Sequence, residues 1–164
     1  MATGTILLPL LAAVPDATNP PALSFVNGRP RLAFDNTTAE LIVWTFRMPA
    51  DYASAPTLAV QWSGSASTTA TDTVRWEGEV MKLTPNVDGA ADADSYAAAN
   101  GVSDDILGTT AKRIQEATMT LTNDDGVAAG DMVALRLSRN PAHADDDLGE
   151  DAWLWAVSLE YTTA

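Results

Sequence analysis

From residue 22 onward, hydrophobic and polar positions alternate in short runs broken by turn residues. The run Thr73–Leu83 is the clearest. Val74, Trp76, Gly78 and Val80 fall on one face, while Arg75, Glu77 and Glu79 fall on the other. Successive side chains of a strand point to opposite faces, so this period of two predicts a half-buried antiparallel strand. The same pattern recurs in Thr57–Trp62 (Leu58, Val60, Trp62), Ile114–Thr122 (Ala117, Met119, Leu121) and Asp131–Arg139 (Val133, Leu135, Leu137). Ala39–Met48 places Ile42, Trp44 and Phe46 on one face, and Asp151–Tyr161 does so for Trp153, Trp155, Val157, Leu159 and Tyr161. Ala22–Val26 and Arg31–Phe34 flank Asn27-Gly28, a dipeptide that closes tight hairpins, although Pro30 demotes the second arm to an edge strand.

The breaks between runs are loops by composition: 63–71, 85–101, 123–126 and 140–150. A helical period lasts nowhere beyond two turns, and the best candidate, Ser95–Asn100, is short. Eight or nine short strands about ten residues apart predict an all-β fold, an antiparallel β-sandwich of jelly-roll type. Trp76, Val80, Val133, Leu135 and Leu137 are expected in its core. The sandwich is read as one domain, 22–164, preceded by an extended N-terminal arm, 1–21, kept straight by Pro9, Pro15, Pro20 and Pro21. The arm's apolar run from Ile6 to Val14 is far short of the ~20 residues of a membrane span. Met1 to Thr5 has no basic residue, so a secretory leader is not expected either. Ile6, Leu7, Leu8, Leu10, Leu11 and Val14 need a cover, and are expected to contact a neighbouring subunit or a larger surface.

Composition narrows the chemistry. The chain has 164 residues, no cysteine and a single histidine, His143. Thiolate metal sites, thiol nucleophiles and multi-histidine metal sites are therefore excluded. Twenty-two acidic residues against nine basic ones give a net charge of −13. Such a field repels nucleic acid and anionic lipid, so neither nucleic acid nor membrane is an expected partner. An acid-rich, lysine-poor surface fits work in concentrated salt, or a genome poor in lysine codons.

Candidate sites are few. Asp145, Asp147 and Asp151 lie in an acidic loop that offers hard oxygen ligands, so a structural calcium ion is the one cofactor considered; their spacing matches no calcium-loop motif. Asp88, Asp92 and Asp94 form a weaker set of the same kind. No catalytic residue is assigned: there is no Gly-x-Ser-x-Gly turn to pair with His143, and no phosphate-binding glycine loop. Exposed tryptophans could stack on sugar rings, but Trp44, Trp62, Trp76 and Trp155 sit beside aliphatic residues and are expected in the core or a subunit interface.

Short segments in a fixed order carry a resemblance: 15–21 (PDATNPP), 26–30 (VNGRP), 32–38 (LAFDNTT), 46–52 (FRMPADY), 72–76 (DTVRW), 130–139 (GDMVALRLSR) and 151–154 (DAWL). In this order the chain resembles small β-sandwich proteins of tailed-virus (bacteriophage-like) virions, which serve as capsid decoration (cement) proteins or as knobs of head and tail fibres. The resemblance implies a non-enzymatic homotrimer on the outer surface of a capsid, in contact with the major capsid protein. Its alternative is a fibre knob that binds host-surface carbohydrate. Without a stalk segment in the chain, the decoration role is the expectation.

Overall fold

A computed structural model describes residues 2–66 and 69–164. Its strands are β1 (Thr3–Leu7), β2 (Val14–Pro15), β3 (Ala22–Val26), β4 (Arg29–Phe34), β5 (Glu40–Arg47), β6 (Tyr52–Gly64), β7 (Thr73–Leu83), β8 (Asn100–Asp105), β9 (Gln115–Thr120), β10 (Met132–Arg139) and β11 (Ala152–Thr163). They form two sheets. One runs β3-β4-β11-β6-β9, with β1 also paired to β11, and the other runs β2-β5-β10-β7-β8. Every pairing is antiparallel. From β4 to β11 the chain winds between the sheets so that β4-β11-β6-β9 faces β5-β10-β7-β8, which is the jelly roll the alternation predicts.

The core lies between the sheets. Trp76, Val80, Val133, Leu135 and Leu137 are buried there, with Phe34, Ile42, Leu58, Trp62 and Met119. Phe34 and Trp62 both meet Trp76 edge-to-face, at centroid separations of 5.2 and 6.3 Å. Gly78 gives up its side chain so that Met119 and Leu58 of the facing sheet, and Leu121 just beyond β9, can close over it.

Three findings depart from the sequence reading. Residues 3–21 are extended but do not project. β1 pairs with β11 along its whole length, a 3₁₀ turn at Leu10–Ala12 follows, and β2 pairs with β5. The segment is thus a strap from one sheet to the other, pinned by the Trp44 indole N–H, which donates to the Pro9 carbonyl at 2.9 Å. Leu8 and Leu10 are buried in the core, which removes them from the expected contact surface. Second, β8 carries only one large apolar residue; the sequence reading ends a loop at 101 and assigns no strand here. The strand is held by β7 and by polar side chains: Asn100 donates to the carbonyls of Gly78 and Asn123, and Asp104 accepts from the Trp62 indole. Third, of the loop expected over 63–71, Ser63 and Gly64 belong to β6; Ser67 and Thr68 lie outside the described residues.

Candidate functional site

The decisive local feature is a register shift in β11 between Leu154 and Ala156. Ala152 and Leu154 point into the core before it, and Val157, Leu159 and Tyr161 do so after it. An inserted residue reverses which parity faces inward. Trp153 and Trp155 therefore stand on the outer face of the six-stranded sheet, half-buried, which corrects the expectation that they share a face with Val157, Leu159 and Tyr161. Their ring centroids are 6.3 Å apart and their planes stand at 80°. Trp44, Trp62 and Trp76 are core residues, as the alternation indicates.

Neighbouring strands hold the two indoles in place. The Trp155 N–H donates to Ser63 Oγ at 2.9 Å, and Ser63 itself is completely covered. On β4, Leu32 and Phe34 fill the core, so Arg29 and Arg31 must face out. The Arg31 guanidinium lies 3.4 Å from the Trp153 ring centre, and its Nε donates to Ser24 Oγ at 2.8 Å. Arg29 sits 5.7 Å from the Trp155 ring centre and Lys112 Nζ 5.3 Å from that of Trp153. With Val26 and Ile114 these residues line a groove of about 370 Å³. Arg75, Lys82, Arg136 and Arg139 each have a carboxylate partner. Among the described residues Arg29, Arg31, Arg47, Lys112 and Arg113 have none.

Beside this groove runs an apolar ridge. Leu7, Leu11 and Val14 of the strap are 75, 63 and 66% exposed, and Leu23 and Phe25 of β3 are 50 and 61% exposed. An open groove of about 380 Å³ between strap and sheet is lined by Leu7, Leu11, Pro30, Trp155 and Val157, among others. Leu11 also lines a smaller cleft with Leu23 and Leu32, so strap and β3 form one surface. Ile6 is half-buried and packs against the core. Of the six expected contact residues, only Leu7, Leu11 and Val14 are exposed.

The acidic candidates do not converge on a cation. Asp145 accepts from Ser103 Oγ and Asp147 from the Thr73 backbone N–H, while Asp151 offers its carbonyl to the Ser65 N–H. Among the described residues no three acidic or histidine side chains come together as a metal site. Asp88 instead accepts from the Thr84 backbone N–H and pairs with Lys82, and the former contact leads in holding its carboxyl below the usual range. His143 is a loop residue whose Nδ1 accepts from the Asp145 backbone N–H. Neither groove is lined by a carboxylate or a histidine. The sequence does contain one signal for the Trp groove: Trp153 and Trp155, like Arg29 and Arg31, are spaced by two and must share a face. Which face depends on the bulge, and alternation alone does not show it.

No protein-family model matches the chain, and neither does any curated protein. Among described helices none is long and apolar enough to cross a membrane. Solved structures do match in shape. A xylan-binding module, CBM15, superposes with a TM-score of 0.50 at 9% identity, covering 99% of both chains. A family 29 carbohydrate-binding module from Piromyces equi gives 0.47 at 8% identity, covering 99% of this chain and 93% of that one. The family 11 carbohydrate-binding module of the Clostridium thermocellum cellulase Lic26A-Cel5E gives 0.43 at 7% identity, covering 100% and 89%. At such identities the likeness is one of fold: the chain is an all-β, antiparallel β-sandwich of the architecture these modules share.

Proposed function

We propose that this protein is a non-enzymatic structural module that works by docking, and that it serves as a capsid decoration (cement) protein bound as a homotrimer to the outer face of a tailed-virus capsid. The apolar ridge carries this reading. Exposed Leu7 and Leu11 share one cleft and Leu11 and Leu23 the next, and such a linked set is an association site in search of a cover, since single exposed leucines are common. The occupant assigned to the ridge is a neighbouring copy of the chain; virion and trimer rest on the sequence resemblance. The acidic remainder of the surface then faces solvent. Sedimentation velocity of the purified protein tests self-association: a trimer is expected, and a monomer at micromolar concentration overturns it. Co-pelleting with particles of the virus that encodes the chain tests the capsid role, and failure to pellet overturns that part alone.

A second reading, a knob that binds carbohydrate, is favoured by one observation. The Trp153–Trp155 pair lies half-buried on the outer face of a sheet and is held by neighbours that fix its orientation. Indole faces of this kind stack on the C–H faces of sugar rings.

A further inference from the structure

We propose that the Trp153–Trp155 groove is an anion-selective saccharide site whose ligand carries a carboxylate, as a hexuronate does; this rests on the second reading above. The chain has 22 acidic and nine basic residues, and among the described residues five of the nine have no carboxylate partner. Three of those five, Arg29, Arg31 and Lys112, gather at one groove. They are instead stationed against indole rings, at 3.4 to 5.7 Å from the ring centres. A neutral sugar pressed onto the rings would return only hydroxyl acceptors for the water it strips from these cations, whereas a carboxylate returns charge-assisted hydrogen bonds about twice as strong.

The geometry favours a sugar over a peptide. A groove of about 370 Å³ is at the small end of the roughly 300–1,000 Å³ of small-molecule sites. β4 lies between β3 and β11, and β11 is paired on both edges, so neither strand has a backbone edge free to add a peptide as another strand. The indoles stand at 80° to each other, and Ser63 and Ser24 fix Trp155 and Arg31. Such preorganisation suits a rigid ring bearing one charged substituent. The net charge of −13 does not forbid this, because salt screens the distant carboxylates within about 8 Å while the three cations act at contact.

Titration calorimetry of the full chain decides it. The probes are trimers of galacturonate, glucuronate and mannuronate, the neutral hexose trimers of the same linkage, and an Asp/Glu hexapeptide. At least one uronate trimer is expected to bind at least about tenfold more tightly than its neutral counterpart, and to weaken several-fold between about 50 and 500 mM NaCl. The double substitution Arg29→Ala/Lys112→Ala, on exposed side chains, should abolish that preference, and Arg29→Lys should restore part of it. Circular dichroism checks the fold. Equal affinity for neutral and acidic trimers overturns the charge selectivity and leaves the saccharide reading standing. Binding of the peptide alone, or of nothing, overturns both.

Discussion

Arg139 and Asp146 form a two-bonded ion pair inside the sandwich, 3.0 Å from Nε to Oδ2 and 2.8 Å from Nη2 to Oδ1, with both side chains closed to solvent. Arg139 occupies an inward position of β10 where an aliphatic residue would be expected. Its remaining N–H groups donate to the carbonyls of Phe34, Leu148 and Glu150. The pair therefore ties the acidic loop to β10 and β4. It also accounts for the middle one of the 145–147 aspartates, which is spent on a guanidinium.

Breaking that pair from one side leaves a buried charge without its partner. Asp146→Ala is expected to cost about 3–5 kcal/mol in urea unfolding. Replacing both groups by apolar ones, Arg139→Met with Asp146→Leu, should cost clearly less than Asp146→Ala alone. Equal costs would show that the carboxylate is not what stabilises Arg139.

Gly78 is placed where side chains from across the core close over the backbone of β7. A Cβ there would stand 2.9 Å from Met119 Sδ, 3.2 Å from Leu121 Cδ2 and 3.3 Å from Leu58 Cδ1. Gly78→Ala is expected to lower stability by about 1–3 kcal/mol through overpacking. The lower end applies if the flexible Met119 side chain yields. Differential scanning calorimetry measures it, and an unchanged or raised Tm would mean that the sheets have slack at this point.

Stability should respond to pH through Asp104. Burial leads in pushing its carboxyl above the usual range, against hydrogen bonds from Trp62 and Gln115 that pull it down. The folded state then holds a proton at a pH where the unfolded chain has released it, so this group's stabilisation is lost as pH rises from the ordinary value of 3.8 through the raised one. Asp104→Asn keeps an oxygen for Trp62 and Gln115 and never charges. Its Tm relative to the unaltered protein is expected to rise between about pH 3.5 and 7. A constant offset would show that Asp104 titrates alike in both states.

How legible all this was depended on whether burial followed parity. Where it did, as from Val74 to Val80 or Val133 to Leu137, strand and face were readable residue by residue. β8 was not, because its inward residues Asn100 and Asp104 are polar and are satisfied by partners from β7, β6, β9 and the 121–124 turn. β1 was hidden for another reason. Its apolar residues read as a surplus needing an outside cover, but the far end of the same chain, β11, supplies part of it. The Trp groove turned on one inserted residue in β11, whose presence has no signature in the local pattern.

The strap gives the last test its form. Deletion of residues 1–21 would seem the natural way to remove the docking surface. However, it would also strip β1 from β11 and take Leu8 and Leu10 out of the core, so a loss of association would say nothing about contact. Leu7, Leu11 and Val14 offer a cleaner route: they are mostly exposed, and the backbone bonds of β1 and β2 do not depend on their side chains. The triple substitution to serine should leave Tm within about 2 °C, since exposed positions away from special features shift stability by under ~0.5 kcal/mol. Association should weaken by at least about tenfold, because burying such side chains is worth about 25 cal/mol per Å² of apolar area and 1.4 kcal/mol is a factor of ten. The corresponding change on the acidic face, Asp92→Ser with Asp94→Ser, should leave association as it was. Sedimentation equilibrium over a range of concentrations reads both variants. A strap variant that associates as tightly as the unaltered chain would show that the ridge is not where copies meet.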